Sequence, residues 1–459
     1  MFVGRKKELQ LLNQQYDSGK FEFTVLYGRR RIGKTELLKQ YIQGKAAIYY
    51  VAIESNEQTN LELLSKSVHQ YSRKEQGYAP FSDYMALFDH FTELAKNQRL
   101  ILVIDEYPYL AEAYPEISSL IQKYCDNQWQ ETKLHLILCG SSMSFMENQV
   151  LGAKSPLYGR RTTQIRLKEF NYFETEELLR PMPKEDIAVL HCVTGGVAEY
   201  LKFVHKSQDL AANLIGLFFT DSGRLVEEPL NFLKQELREP KVYNSILDAI
   251  ARGASRNSEI ASKVNLPAGS LNRYLENLME LGIVIKETPM GNSSSRKTSY
   301  RIRDGSFRFW YRYVFPNMST IELGLGKRLY REYIEKDLSN YMGEGFEKIF
   351  LDHFDRMNEQ GELPGLITSR GRWWGTDVEN KREAEIDLVG KGGNLTIYAE
   401  VKWTNEAVGL KILTGLLEKS QLIHSLDKYY IVFSKRGFST GAVEFAEQSD
   451  KIRLVSFLE

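Results

Sequence analysis

The sequence predicts a multidomain α/β protein: a parallel sheet flanked by helices, a helical segment, a winged helix-turn-helix, and a second α/β domain near the C-terminal end. Three observations carry that prediction. A glycine loop, Gly28-Arg29-Arg30-Arg31-Ile32-Gly33-Lys34-Thr35, stands between a strand-like run at 23–27 and a helical pattern at 36–41. A continuous apolar run at 100–104 ends in Asp105-Glu106. Two alternating runs, 385–390 and 395–403, flank the turn-forming Lys391-Gly392-Gly393-Asn394.

The loop fits G-x-x-x-x-G-K-[ST] without a mismatch, in the strand–loop–helix setting that the pattern needs. Its glycines let backbone N–H groups turn inward around a polyphosphate, and the following helix presents its positive end. Gly28, Arg31, Ile32, Gly33, Lys34, Thr35 and Glu36 form the expected phosphate-binding set. Lys34 would reach the β/γ-phosphates and Thr35 would ligate Mg²⁺. The run at 100–104 reads as a central strand buried on both faces. Asp105 at its end would hold Mg²⁺ from a neighbouring strand, and Glu106 would polarise the attacking water.

Further strands are expected at 22–28, 47–53, 134–140 and 163–168, with amphipathic segments such as 61–71 and 84–95 between them. That alternation makes a parallel sheet with helices on both faces. Ligands bind beyond the carboxyl ends of such strands, where Gly28, Asp105 and Ser141 fall. Ser141 or Ser142 is either a γ-phosphate sensor or an ordinary turn serine, and His135, inside a strand, reads as structural.

The first domain spans 1–168, and helical patterns at 169–240 form a lid packed on the nucleotide site, including Gly195-Gly196-Val197-Ala198-Glu199-Tyr200-Leu201. Residues 241–303 show helical patterns at 243–251, 258–264 and 270–281, a turn at Asn265-Leu266-Pro267, and a hairpin over 283–302 tipped by Gly291-Asn292-Ser293-Ser294-Ser295. This is a winged helix-turn-helix pattern. Ten Lys and Arg face five Asp and Glu there, gathered in the wing as Lys286, Arg296, Lys297, Arg301 and Arg303. The third helix pairs Arg273 with Glu276 and Glu280, a poor set for reading a major groove. DNA contact through the wing and a protein-contact role both remain open.

Residues 304–459 begin aromatic and helical and end in strands at 428–433 and 452–457. If 391–394 forms the hairpin turn, Asp387 lies opposite Tyr398, and parity puts it on the face shared by Glu400 and Lys402. Asp387 and Glu400 would bind Mg²⁺ for phosphodiester cleavage, and Lys402 would orient or deprotonate the nucleophile. Gly343-Glu344-Gly345-Phe346-Glu347 opens a helix with core face Phe346, Ile349, Phe350 and Phe354, and Glu347 borders that face to complete the metal site. The alternative is a solvated strand surface. The spacing resembles the PD-(D/E)xK nuclease superfamily.

Composition narrows the rest. Of 459 residues, 42% are hydrophobic, and sixty basic residues balance sixty acidic ones, so attraction to nucleic acid must be local. Cys125, Cys139 and Cys192 lack metal-ligand spacing and read as free thiols of a cytoplasmic protein. No apolar targeting core follows the first ten residues, and no apolar run approaches the roughly 20 residues that span a bilayer.

Together the motifs resemble a family of archaeal and bacterial P-loop ATPases of the AAA+/STAND type with a C-terminal nuclease-like domain, over nearly the whole chain. Phe2-Val3-Gly4-Arg5 with Glu8-Leu9 matches the family's N-terminal motif, which implies that Val3 and Arg5 belong to the wall of the adenine pocket. GRRRIGKT and LVIDE match its Walker motifs. Ser155-Pro156-Leu157-Tyr158-Gly159-Arg160 matches a motif after the fourth strand; the resemblance implies that Arg160 or Arg161 is an arginine finger, in cis or within a homo-oligomer. The alternative is a loop arginine salt-bridged to the lid. GGVAEYL is similar to the family's GG-x-P-x-Y-L, with Ala198 in the proline's place. Gly371-Arg372-Trp373-Trp374, EIDLV and EVKW match the C-terminal domain, where Trp373, Trp374 and Trp403 either stack on bases or fill the core. The resemblance implies ATP and Mg²⁺ as cofactors and a switch acting on DNA. The second reading is a signalling or assembly ATPase with a non-catalytic nuclease-like platform.

Overall fold

The computed structural model describes residues 2–72, 79–291, 298–378 and 380–459. The chain divides into two units, Met1–Phe170 with Val197–Glu199, and Asn171–Gly196 with Tyr200–Glu459.

In the first unit, β1 (Glu22–Tyr27), β2 (Ala47–Val51), β3 (Leu100–Asp105), β4 (Leu134–Gly140) and β5 (Thr163–Arg166) form a parallel sheet in the order β2-β3-β4-β1-β5. β3 and β4 are buried throughout, as continuous apolar runs demand. Alternate side chains feed two apolar clusters. One holds Leu100, Leu102, Ile104 and Leu136; the other holds Ile101, Val103, Ile137 and Leu26 with Leu37 and Leu38 of the helix Lys34–Ile42. Asn56 and Asp83 cap the next two helices by accepting the N–H groups of Thr59 and Ala86. One expectation fails: Asp105 is not on a strand beside the loop's strand, because β4 lies between β1 and β3. Strand order in a doubly wound sheet is not sequence order.

His135 is structural. Its Nε2 pairs with Thr24 Oγ1 at 2.9 Å and its Nδ1 with Tyr41 hydroxyl at 2.8 Å, and burial pushes the imidazole down to about 3. A neutral ring serves one partner as donor and the other as acceptor.

The second unit contains the helices expected as a lid; of 169–240, Glu169, Phe170 and Val197–Glu199 group with the first unit. The helix Lys184–Thr194 ends at Gly195 in the left-handed region (φ 67), and it packs against the helices Tyr172–Leu179 and Glu335–Glu359. The helices Pro240–Ala251, Asn257–Val264 and Ala268–Glu280 precede the antiparallel hairpin β6 (Val284–Glu287) and β7 (Ser299–Ile302), the winged helix-turn-helix pattern. Asn265 takes the left-handed turn position (φ 53). Of the wing, Asn292 to Ser295, Arg296 and Lys297 lie outside the described residues.

The C-terminal sheet runs β12-β11-β10-β9-β8, with β8 (Ser369–Asp377), β9 (Arg382–Gly392), β10 (Leu395–Lys402), β11 (Asp427–Ser434) and β12 (Ile452–Ser456). β8, β9 and β10 are antiparallel, and β10, β11 and β12 are parallel. Helices Leu410–Ser420 and Thr440–Glu447 make the two crossovers. The long helix runs Glu335–Glu359, so Gly343 and Gly345 lie inside it and do not open it. Gly345 is there for close packing: a Cβ would stand 2.6 Å from Cys192 Sγ. Phe346, Ile349, Phe350 and Phe354 are buried as expected.

Candidate functional site

The phosphate loop leaves β1 and enters the helix Lys34–Ile42 through Gly33, whose φ of 95° suits glycine. Gly28 has no room for a side chain, since a Cβ would lie 2.5 Å from the Leu167 carbonyl oxygen. Buried Lys34 donates from Nζ to the carbonyls of Gly28 (2.8 Å) and Arg29 (2.9 Å). Burial lowers the affinity of this ammonium for its proton; Cys139, Glu106 and Asp105 work the other way, and Arg30 adds to the lowering. Thr35 Oγ1 donates to Asp105 Oδ2 at 3.0 Å, so both expected Mg²⁺ ligands meet across β4. Hydroxyl and carboxylate oxygens suit that hard cation. The Tyr49 hydroxyl donates to the same carboxylate oxygen, and the Glu106 N–H to the other at 3.0 Å.

Glu106 sits in the left-handed region (φ 51), and its carboxylate accepts from Ser141 Oγ at 2.8 Å and Ser141 N–H at 3.3 Å. Ser141 thus holds the candidate water-polarising group. Arg5, Arg31 and Glu106 are three of the five non-glycine residues with positive φ among the described residues. Such backbone strain gathers at functional sites. Ile32 is buried in the apolar cluster beneath the loop, and Glu36 is exposed on the helix.

Two residues with implied roles have protein partners in this structure. Buried Arg5 donates from Nη2 to the carbonyls of Ile32 (2.9 Å) and Lys168 (2.7 Å), and its guanidinium lies 4.6 Å over Phe170. These donors brace the loop's own backbone, and Val3 beside it is buried. Arg160 makes two parallel bonds to Asp126, each 2.8 Å, and two more to the Pro156 and Tyr158 carbonyls. It is a salt-bridged loop arginine, but its partner is the helix Ile117–Asn127 and not the lid.

The second constellation forms around β9 and β10. Their ladder pairs Gly392 with Leu395 and ends at Leu388 with Ala399, two residues out of the expected register, with parity kept. The turn is tighter than 391–394. Beyond the ladder's end, Val401 N–H donates to Asp387 Oδ2 at 2.8 Å. Lys402 Nζ stands 2.8 Å from Glu400 Oε1 and 3.9 Å from Asp387 Oδ2. Glu400 is buried and also accepts from Lys419 Nζ at 3.0 and 3.2 Å.

Burial raises the Asp387 carboxyl to about 6, with Glu400's charge adding and Lys402 opposing. Burial likewise raises Glu347 to about 7, against the pull of Arg372 and with Asp387 adding. Lys402 is also buried, which works against its charge, yet Glu400 and Asp387 hold its ammonium above the ordinary value. Of the two roles left open for Lys402, that shift favours orienting charge over taking a proton. Among the described residues no three His, Cys, Asp or Glu lie close enough together to hold a metal. Cations stand between the carboxylates instead.

Arg372 is one of those cations. It lies at the register shift between Gly371 and Trp373, as the one residue of β8 opposite Asp387 and Leu388 of β9, its Nε 3.6 Å from Glu347 and its Nη1 3.9 Å from Glu287 of β6, with Glu385 as a third partner. Met290 N–H donates to the Arg372 carbonyl at 2.8 Å, fastening the wing to the sheet edge. Arg301 is taken by Glu287 and faces Glu344, whereas Lys286 and Arg303 are exposed. Trp403 is buried against Phe346 (centroids 4.8 Å), and Trp373 packs on the sheet's apolar cluster, so both serve the core.

Sequence reasoning missed Tyr49, Arg372 and Lys419. Pairing of Val51 with Asp105 puts Tyr49 on Asp105's face, which a correct strand order would have revealed. Lys419 borders the buried face of its helix, next to Ser420 and three residues beyond Leu416. The register shift opposite Arg372 leaves no periodic signal.

The loop, the acid pair after β3 and the sheet order define a P-loop ATPase. Residues 2–204 match the family described as an ATPase domain predominantly from Archaea, 245–287 match the IclR helix-turn-helix domain, and 310–413 match a family of archaeal and bacterial proteins of unknown function. An uncharacterized protein of Methanocaldococcus jannaschii is 33% identical over 450 residues, 95% of this chain and 96% of that one. An uncharacterized ATP-binding protein of the same organism is 47% identical over 45 residues, 10% of this chain and 76% of that one. The fold is similar to that of the Walker-type ATPase of Pyrococcus abyssi, at a TM-score of 0.52 and 20% identity over 68% of this chain and 96% of that one. The chain belongs to the family of the first archaeal relative, and it is an ATP-hydrolysing enzyme. Among the described residues no helix is long and apolar enough to cross a membrane.

Proposed function

We propose that the protein is an ATP-driven switch acting on DNA, built of an ATPase core (1–168), a helical segment (169–240), a winged helix-turn-helix (241–303) and a PD-(D/E)xK nuclease-like domain (304–459). Lys34 binds the β/γ-phosphates after leaving the Gly28 and Arg29 carbonyls. Thr35 and Asp105 hold Mg²⁺, and Glu106 orients water once Ser141 yields its carboxylate. Lys286 and Arg303 offer exposed cations to a DNA backbone, while Arg301 does not.

The observation that carries the nuclease reading is the convergence of Asp387, Glu400 and Lys402 where β9 and β10 part, with Glu347 in their field. Asp387 and Glu400 would hold Mg²⁺, which supplies a water of lowered pKa and stabilises charge on the phosphate. Lys402, kept protonated, places positive charge beside the scissile group. Purified protein nicks or cuts DNA with Mg²⁺ or Mn²⁺, and Asp387→Ala and Lys402→Ala both abolish cleavage. Wild-type protein inert on every DNA and RNA form tested overturns this reading.

A specific observation favours a second reading, a signalling or assembly ATPase with a non-catalytic platform. Glu400 already carries two lysines and Glu347 carries Arg372. That reading predicts no Mn²⁺ binding beyond the nucleotide site in calorimetry, and ATP-dependent homo-oligomers.

A further inference from the structure

The phosphate loop carries three consecutive arginines, and they diverge. Arg29 is buried and faces Glu169 at 4.0 Å. Arg31 takes a left-handed turn (φ 70), and its carbonyl accepts from Glu199 N–H at 3.1 Å. Arg30 reaches across to the hydroxyl of Tyr109 at 3.1 Å. Tyr109 lies in the first turn of the helix Tyr107–Ala113, which starts immediately after Glu106, and its N–H donates to the Glu106 carbonyl at 3.0 Å. The Arg30 guanidinium therefore spans from the loop to the element that positions the water-polarising carboxylate. The charges of Arg30 and Glu106 both act on the Lys34 ammonium. Arg160, the arginine that the resemblance offered for catalysis, is committed to Asp126.

We propose that Arg30 is the catalytic arginine of ATP hydrolysis, supplied in cis by the phosphate loop itself and aimed at the γ-phosphate by Tyr109. In the step it serves, a water oxygen bonds to the γ-phosphorus while the bond from that phosphorus to the β,γ-bridging oxygen breaks. The electron pair of the broken bond leaves on ADP. One water hydrogen stays on the released phosphate, and the other departs to solvent past Glu106. The γ-oxygens and the bridging oxygen share the negative charge during transfer, and a guanidinium reaching from the loop to Tyr109 meets that charge at its largest. Tyr109 is a positioning residue: it holds the planar group without touching phosphate.

The test compares Arg30→Ala, Arg30→Lys, Tyr109→Phe and Arg160→Ala in the full chain. Single-turnover ATP hydrolysis is measured beside calorimetric affinity for ADP·Mg²⁺ and for ADP·Mg²⁺ with aluminium fluoride, a mimic of the transferring phosphoryl group. Arg30→Ala slows hydrolysis on the order of 10³-fold, loses the aluminium fluoride enhancement, and keeps ADP affinity within about threefold. Arg30→Lys restores little, because a point charge lacks the fork geometry. Tyr109→Phe costs roughly tenfold in rate with ADP affinity unchanged, and Arg160→Ala hydrolyses at the wild-type rate. The proposal falls if Arg30→Ala turns over ATP within threefold of wild type. It falls equally if ADP affinity drops as much as the rate, which makes Arg30 a ground-state phosphate clamp.

Discussion

Glu347→Gln should stabilise the metal-free protein at neutral and alkaline pH while removing any nuclease activity. The carboxyl is moved from its ordinary 4.5 to about 7, with burial as the main cause. A raised acid binds its proton more tightly in the folded state, so its favourable contribution is complete below pH 4.5 and is lost as the pH rises through 7. At about 1.4 kcal/mol per pH unit, the ionised group costs the folded state about 3 kcal/mol above pH 7. Glutamine keeps the shape and carries no charge. It gives up attraction to Arg372, which retains Glu287 and Glu385. The net gain is therefore about 1 to 3 kcal/mol at pH 8 and close to nothing at pH 4. Urea denaturation in EDTA at pH 4, 6 and 8 measures it through tryptophan fluorescence, since Trp403 packs on Phe346 beside Glu347. Asp387→Asn should follow the same sign, over the window from 3.8 to about 6. A stability gap that is the same at pH 4 and pH 8, or a variant weaker than wild type at pH 8, refutes the reasoning.

Arg5→Ala removes one buried and one partly buried hydrogen bond, to the Ile32 and Lys168 carbonyls, and should cost about 2 to 4 kcal/mol, read as a lower melting temperature together with weaker ATP binding. Gly28→Ala puts a Cβ 2.5 Å from the Leu167 carbonyl oxygen and 2.6 Å from Ile32 Cδ1, so the loop must shift and calorimetry with ATP should show binding lost. Glu106→Gln should slow hydrolysis by roughly 10² or more and leave ATP affinity intact; hydrolysis at the wild-type rate assigns the water to another residue. Lys34→Ala should remove ATP binding outright, which a fluorescent nucleotide titration reads directly.

The parts of this architecture that were legible are those whose signal is local. The loop, its helix and the acid pair after β3 are contiguous strings, and the buried strands announce themselves by unbroken apolar runs. The face shared by Asp387, Glu400 and Lys402 followed from parity alone, which survived a register error of two residues because a strand's period is two. What failed needed long-range information. Whether β3 adjoins β1 depends on where β4 inserts, and nothing within 100–105 records that. The partner of Arg160 lies 34 residues away, in the helix Ile117–Asn127. Glycines at 343 and 345 read locally as a helix start, and only the close approach of Cys192 explains why one sits mid-helix.

The register shift between β8 and β9 has a mechanical consequence. Between the pairs Gly371–Val389 and Trp373–Ile386, β9 carries one residue more than β8, and there the Arg372 guanidinium stands where the wing, the long helix and the sheet's outer hairpin come together. Arg372 works as a rivet through three plates. Displacing β6 would take Glu287 from that rivet and so alter the charge balance beside Glu347, which Arg372 also holds.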